Sequence, residues 1–222
     1  MNLAHTSPAI GSGATLAVEV HFDFVCPWCL IGKRQLDAAV RRFEAARPET
    51  RVKLEWRSQQ LLPATPVDGI DYQDFYIKRL GSADAVAARR LQVREAGRAA
   101  GVDFAFDRIR LLPNTGLAHD LVARAGKHGT PALQAALIER VFTAFFQEGE
   151  DIGRQDVLER LGRECGLPET SLDPAPERAN GARRPHGDPR ITGVPFFVVN
   201  GADALAGAAS AESLLEAMLR AE

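Results

Sequence analysis

The chain has 222 residues, of which 45% are hydrophobic and 25% charged, and its formal net charge is −2. This composition is ordinary for a globular protein, and the small charge gives no reason to expect a nucleic acid or a membrane surface as a partner. No apolar run approaches the roughly 20 residues that span a bilayer. Residues 1–15 lack the basic start and apolar stretch of a signal peptide. We therefore expect them to form a loose tail, and the protein to be cytoplasmic.

The first segment predicts a strand, a helix and a second strand. Apolar residues alternate over 16–25, which is typical of a strand. A helix is predicted over 27–46, because Pro27 suits the first helical position, apolar residues recur at helical spacing and Pro48 follows. A second strand fits 51–56. This order is the beginning of a βαβ unit.

The middle of the chain predicts helices. After a turn-rich link over 61–69, helical periodicity places them at 71–80, 82–100, 115–127, 131–147 and 155–165. Residues 167–190 contain many prolines and few large apolar side chains, so we expect a long connection there.

The end of the chain returns to a sheet pattern. Residues 194–199 predict a strand, Asn200-Gly201 a hairpin turn, and 202–206 a returning strand. Ser210 is placed to cap a last helix over 211–220. We predict an α/β fold in which residues 16–62 and 191–222 form one discontinuous domain. Residues 63–190 form an all-helical insertion that ends in the proline-rich connection.

Cys26 and Cys29, in the segment Cys26-Pro27-Trp28-Cys29, are the residues to which the sequence assigns chemistry. Cys26 falls at the predicted helix N-cap, where backbone N–H groups and the helix dipole stabilise a thiolate. Such settings lower a cysteine pKa from about 8.5 to between about 3.5 and 7.5. Cys29 lies one turn into the helix, placed to attack a mixed disulfide formed at Cys26. Pro27 and Trp28 shape the turn between them.

Other interpretations of this pair remain open. A structural zinc site needs four ligands, and no second Cys-x-x-Cys exists among the three cysteines. A haem attachment would need histidine at position 30, which is leucine. A structural disulfide belongs to secreted proteins. A non-catalytic pair that holds a metal, binds a partner or merely packs is the simplest alternative.

A second informative segment is Gly193-Val194-Pro195-Phe196-Phe197. Pro195 suits the start of an edge strand, since it donates no ladder hydrogen bond. Alternatively, the Val194–Pro195 peptide is cis and packs against the cysteines, which would leave the Val194 backbone free to pair with a substrate.

Four segments carry a resemblance to a known family: Asp23-Phe24-Val25-Cys26-Pro27-Trp28-Cys29 with Ile31-Gly32-Lys33-Arg34, Pro113-Asn114-Thr115 with Ala118-His119, Phe145-Phe146 with 149–153, and Gly193-Val194-Pro195-Phe196-Phe197. They resemble the DsbA family, in particular its FrnE-like branch, in the same order along the chain. The chain departs from that pattern where Pro174 to Pro189 would break the helix that precedes Gly193 in the family.

The resemblance implies a thioredoxin-like fold with a helical insertion. It makes Cys26 the nucleophile, Cys29 the resolving thiol and Pro195 a cis-proline, with Pro27, Trp28 and Val194 beside the substrate. The substrate would be a protein or small-molecule thiol or disulfide, with no metal, no tightly bound cofactor and glutathione as a redox partner. A homodimer rests on the resemblance alone. The alternative enzyme is a glutathione-dependent isomerase or transferase of the 2-hydroxychromene-2-carboxylate isomerase type.

Lesser candidates are polar groups and a third thiol. His21 and Asp23 are expected on a solvated or partly buried strand face, and His119 is expected to be a packing residue. Cys165 is interpreted as a small buried hydrophobe. A cluster of aromatic residues, Phe142, Phe145 and Phe146, is expected in the core of the insertion.

Overall fold

The computed structural model describes residues 14–172 and 186–222. Its main sheet has four strands in the order β2-β1-β5-β6. The strands of this sheet are β1 (Thr15–Phe22), β2 (Arg51–Ser58), β5 (Phe196–Val199) and β6 (Asp203–Ala206). β1 runs parallel to β2 and antiparallel to β5, and β6 returns antiparallel to β5. Strands from both ends of the chain thus share one sheet, as the sequence predicts.

Most of the remaining secondary structure of the described residues is helical. They are α1 (Pro27–Ala46), α2 (Tyr72–Leu80), α3 (Ala83–Ala99), α4 (Gly116–His128), α5 (Pro131–Thr143), α6 (Gln155–Glu164) and α7 (Ala211–Arg220). Their starts follow the sequence closely because the caps are local. Ser82, Thr130 and Ser210 each accept a hydrogen bond from the backbone N–H three residues further on. The predicted bounds of α1 and α7 are confirmed at both ends.

One apolar cluster joins the sheet to α1 and α7. Leu36 and Phe43 of α1 pack with Phe197 of β5 and with Leu214 and Met218 of α7, and all five side chains are fully buried. This cluster fixes α1 against the sheet along its length. The N-terminus of α1 is thereby held at the edge where β1 ends.

A second cluster joins that edge to the inserted helices. Phe22, Phe24, Cys26 and Cys29 belong to the same buried cluster as aromatic and aliphatic side chains of α4, α5 and α6. The helices therefore pack directly on the cysteine segment. The division of the chain at residues 62/63 and 190/191 into two domains stays a prediction.

The structure differs from the sequence prediction in local detail. The middle of the chain is not all-helical, since β3 (Ile70–Asp71) and β4 (Leu111–Leu112) form a two-stranded antiparallel ribbon. Strands of two residues are too short to show alternation. α5 ends at Thr143, where a π-helical turn, Ala144–Glu148, replaces the helix predicted to residue 147. β1 ends at Phe22 instead of residue 25, because the next residues turn into α1.

Two predictions concern segments that are largely outside the described residues. The tail expected over 1–15 includes residues 1–13, and the connection expected over 167–190 includes residues 173–185. The described parts of that connection are a short 3-10 turn, Glu169–Ser171, and the return to the sheet from His186.

Candidate active site

Cys26 and Cys29 lie at the start of α1. Cys26 is the N-cap residue with an extended backbone, and Pro27 is the first residue of the helix. The Cys26 N–H donates to the carbonyl of Asp23 at 3.2 Å, and the Cys29 N–H donates to the carbonyl of Cys26 at 3.0 Å. Both cysteines are free thiols and both are buried. The turn between β1 and α1 thus places both thiols within one helical turn.

The two thiols differ in electrostatic environment. Burial raises the pKa of Cys29 well above its usual range, and a hydrogen bond with Cys26 and the negative charge on that residue raise it further. Cys29 is therefore a neutral thiol at neutral pH. Cys26 stands at the N-cap of α1, at the positive end of the helix dipole, whereas Cys29 lies inside the first turn.

The predicted Val194–Pro195 segment lies against Cys26. The Val194–Pro195 peptide bond is cis. The Cys26 thiol donates to the carbonyl of Val194 at 3.5 Å. Pro195 is buried, and its carbonyl accepts from the Gly207 N–H at 2.8 Å, which ties it to the end of β6. The Val194 carbonyl, expected to await a substrate, thus faces the Cys26 thiol in this structure.

A buried polar pair lies directly behind the cysteine turn. Asp23 and His119 are both fully buried, and His119 Nε2 lies 3.1 Å from Asp23 Oδ1. The other carboxylate oxygen of Asp23 accepts from the Leu61 N–H at 2.7 Å. The expectation of a solvated or partly buried Asp23 is therefore wrong, whereas His119 is, as expected, a buried packing residue, and its Nε2 has Asp23 as partner. No local signal connects residues that are 96 positions apart.

Main-chain and amide contacts hold the returning chain near the end of β2. The Gln60 N–H donates to the His186 carbonyl at 2.8 Å, and the Gln60 side chain accepts from the His186 N–H at 3.0 Å. Gln59 accepts from the Asp188 N–H at 2.8 Å and donates to the Ile191 carbonyl at 3.1 Å. These contacts guide the chain toward Val194.

A cavity of about 450 Å³ opens beside the cysteine segment. Pro27 and Trp28 form one wall, and α2 and α3 form the other. Trp28 is half-buried, and the guanidinium of Arg89 lies over its ring, with 5.5 Å between the Arg89 Cζ and the ring centroid. Two of the predicted site residues thus face a space of ligand size.

The remaining candidates lie apart from the cysteines or in the core. Phe142, Phe145 and Phe146 are fully buried, as expected of core residues. Cys165 is half-buried at the end of α6, and burial raises its pKa. His21 is buried on β1, where burial lowers its pKa.

Two further findings concern the described residues as a whole. In the described ranges, 14–172 and 186–222, no group of three or more His, Cys, Asp or Glu side chains is arranged to hold a metal ion. Nor does this part of the chain contain a helix long and apolar enough to cross a membrane.

The fold joins a βαβ unit to a β-hairpin, which is the arrangement of a thioredoxin fold. The Cys-x-x-Cys pair at the helix N-terminus, together with the cis-proline beside it, indicates a member of the thiol–disulfide class of this fold. The family of DSBA-like thioredoxin domains matches residues 17–219. The chain belongs to that family, which confirms the predicted fold and the predicted DsbA relationship.

Known proteins agree with this assignment. The chain is 26% identical over 197 residues to the uncharacterised protein YwbO of Bacillus subtilis, a match covering 83% of this chain and 87% of that one. The crystal structure of a probable DsbA oxidoreductase from Streptomyces coelicolor superposes with a TM-score of 0.75 at 25% identity, covering 93% and 89% of the two chains. A 2-hydroxychromene-2-carboxylate isomerase shares the fold alone, with a TM-score of 0.61 at 14% identity over 92% and 95%.

Proposed function

We propose that this protein is a dithiol–disulfide oxidoreductase of the FrnE-like branch, with Cys26 as nucleophile and Cys29 as resolving thiol. The observation that carries the proposal is the asymmetry of the pair. Cys26 lies at the N-cap of α1 with its sulfur 3.5 Å from the Val194 carbonyl, whereas burial keeps Cys29 protonated. One sulfur is placed to react first, and the other is held back until a mixed disulfide forms.

The exchange has two steps. The Cys26 thiolate attacks one sulfur of a substrate disulfide, so the substrate S–S bond breaks, a Cys26–substrate disulfide forms and one substrate thiolate leaves. Cys29 then loses its proton to the departing thiolate or to water and attacks Cys26. The second substrate thiolate leaves, the protein holds a Cys26–Cys29 disulfide, and the substrate has gained two electrons. The reverse sequence oxidises a dithiol.

The loss of the Cys29 proton must be assisted locally, because burial disfavours the thiolate. Once Cys26 is in a mixed disulfide, its negative charge is gone, and one of the causes that hold the Cys29 proton is removed. The Cys29 thiolate then forms more easily in that intermediate than in the free dithiol, although burial still opposes it. This order protects the substrate from premature attack by both thiols.

The substrate backbone would be held by Val194 and Pro195. The side chain or body of the substrate would pack against Pro27 and Trp28. Release of the Val194 carbonyl from the Cys26 thiol would free an acceptor for an extended substrate. We further propose glutathione as the small-molecule thiol that resets the pair, a cytoplasmic setting, and no tightly bound cofactor. Two molecules of glutathione would reduce the Cys26–Cys29 disulfide and leave as one glutathione disulfide, and the reverse exchange would re-form it, so the pair needs no other group to complete its cycle.

A redox titration of the purified protein against glutathione buffers tests the proposal. We expect a reversible two-electron transition of wild type that is absent in Cys26→Ser, together with reduction of insulin or oxidation of a model dithiol. Cys29→Ser should accumulate a mixed disulfide at Cys26, visible by mass spectrometry. Wild type that exchanges with no disulfide would overturn the proposal.

The alternatives give different results in the same experiments. A glutathione-dependent isomerase keeps its activity in Cys29→Ser and needs glutathione for turnover, whereas an oxidoreductase loses multiple turnover in that variant. A metal-binding module retains stoichiometric zinc through purification, and removal of the metal destabilises it.

A further inference from the structure

The cavity beside the cysteine segment carries a charge that the exchange chemistry does not use. Three arginines line it, Arg79 on α2 and Arg89 and Arg90 on α3. No acidic side chain is among its lining residues in the described part of the chain. No ion pair within that part joins any of the three to a carboxylate, although eleven other arginines form such pairs. The cavity therefore holds positive charge without a partner of opposite sign.

Aromatic rings lie against two of these guanidinium groups. Arg89 lies over Trp28, and Arg90 lies over Tyr72, with 5.2 Å between the Arg90 Cζ and the ring centroid. The one hydrogen bond that Arg89 donates among the described residues goes to the neutral side-chain oxygen of Gln92 at 2.6 Å. Stacking of this kind orients the guanidinium but leaves its N–H donors for an acceptor in the plane of the group.

The cavity also adjoins the segment that carries the cysteines. Tyr72 and Tyr76 line it with their rings 4.9 Å apart between centroids. Burial raises the pKa of Tyr76, and negative charge on Cys26 raises it further. Pro27 and Trp28, the two residues that directly follow Cys26 in the chain, line the same cavity. A molecule in the cavity thus has aromatic walls, arginines along its lining and the cysteine segment on one side.

From this juxtaposition we infer that the cavity is the binding site for a small disulfide or thiol that carries a carboxylate on an aromatic or apolar body. The carboxylate is held by Arg79 and Arg90, the body packs against Trp28 and Tyr76, and the sulfur is presented to Cys26. A volume of about 450 Å³ lies within the range of small-molecule sites, roughly 300–1,000 Å³. This inference rests on the proposed function and adds a substrate class to it.

The reaction in the cavity follows the same two steps as the general exchange. The Cys26 thiolate attacks the sulfur nearer to it, the substrate S–S bond breaks, and the leaving half departs as a thiolate. Cys29 then displaces the bound half, so one disulfide yields two thiols and the protein becomes the Cys26–Cys29 disulfide. The arginines take no part in electron transfer, and they raise the encounter rate and hold the anion.

The test compares two aromatic disulfides that differ in charge. Dithiobis-nitrobenzoate carries a carboxylate on each ring, whereas dithiodipyridine is neutral at neutral pH, and both release a coloured thiol. The second-order rate of each with the reduced protein is measured for wild type and for Arg79→Gln/Arg90→Gln. The matched control, Lys78→Gln/Arg98→Gln, removes the same charge from the same two helices outside the cavity.

We expect Arg79→Gln/Arg90→Gln to react about tenfold more slowly with the carboxylated disulfide and within about twofold of wild type with the neutral one. The control variant should stay within about twofold for both, and added salt should narrow the preference of wild type for the anion. If circular dichroism shows that the double variant is unfolded, Arg79→Gln alone, an exposed position, should give roughly a threefold selective loss.

Equal slowing with both disulfides would overturn the inference, since it would show a general effect on the Cys26 thiolate. Equal rates for wild type and the double variant would also overturn it, and would favour a protein substrate that does not enter the cavity. A wild type that reacts with neither disulfide would instead defeat the proposed function itself. The two failures are therefore distinguishable.

Discussion

Gly32 lies in α1 one turn after Cys29, and Gly32→Ala is a sensitive probe of how the site is assembled. A Cβ added at this position would lie 2.9 Å from Cγ of Pro195 and 3.1 Å from Cζ of Phe197. Carbon atoms in contact prefer about 3.5–4.0 Å. Alanine would therefore push the Pro195 ring by roughly half an ångström or more, since neither that ring nor the buried Phe197 has free space.

The expected change in the free energy of unfolding follows from two opposing effects. Overpacking of a core costs about 1–3 kcal/mol, and alanine in place of glycine inside a helix gains roughly 0.5–1 kcal/mol. We expect Gly32→Ala to lower the free energy of unfolding by about 1–2 kcal/mol. Displacement of Pro195 also moves the Val194 carbonyl away from Cys26, so the rate of disulfide exchange should fall by roughly tenfold.

Urea unfolding and exchange with a neutral aromatic disulfide measure the two effects. Gly193→Ala is the matched control, because it lies near the same proline and an added Cβ there meets no atom within 4 Å. It should leave stability within about 0.5 kcal/mol of wild type. A Gly32→Ala variant as stable as wild type and equally fast would refute the packing of α1 against Pro195.

Three further predictions concern buried ionisable groups. Asp23→Ala leaves His119 without its partner and should cost roughly 3–5 kcal/mol of unfolding free energy in urea, whereas Asp23→Asn, which keeps the size and one acceptor, should cost less. In Cys26→Ser, Cys29 should resist iodoacetamide at neutral pH and react only at distinctly alkaline pH, as followed by mass spectrometry; rapid modification at neutral pH would contradict its raised pKa. Because burial lowers the pKa of His21 from 6.5, the unfolded state binds its proton more readily, so stability should fall as pH drops below about 6.5. His21→Asn should flatten that slope in urea titrations, and an unchanged slope would exclude His21 as its source.

Local signals account for the elements that were predictable. α1 is delimited by Pro27 at its start and Pro48 after its end, and α7 by Ser210 at its N-cap, so both helices carry their boundaries in adjacent residues. The hairpin at Asn200-Gly201 is equally local, since both residues adopt the positive φ that such turns require. The Cys-x-x-Cys pair belongs to the same class of short-range pattern.

The parts that escaped prediction depend on distant contacts. Asp23 was assigned to a strand face by alternation, yet it is buried because His119 and the Leu61 N–H satisfy its carboxylate. The arginine-lined cavity has no signature in sequence either, since it forms only where α2 and α3 approach Trp28. Whether neighbouring charges face one another is decided by helix packing, and periodicity within one helix does not contain that information.

In the proposed oxidoreductase, the burial of both cysteines in one cluster with helices α4, α5 and α6 ties the redox potential of the pair to the stability of the fold. By thermodynamic linkage, a substitution that stabilises the disulfide form more than the dithiol form lowers the reduction potential of the pair, and the opposite change raises it. The shift is about 30 mV for each 1.4 kcal/mol of difference. Substitutions far along α4 or α5 can therefore make the protein a stronger oxidant or a stronger reductant without touching either sulfur. In the proposed oxidoreductase, these helices can therefore set the direction of electron flow while Cys26 and Cys29 stay the same.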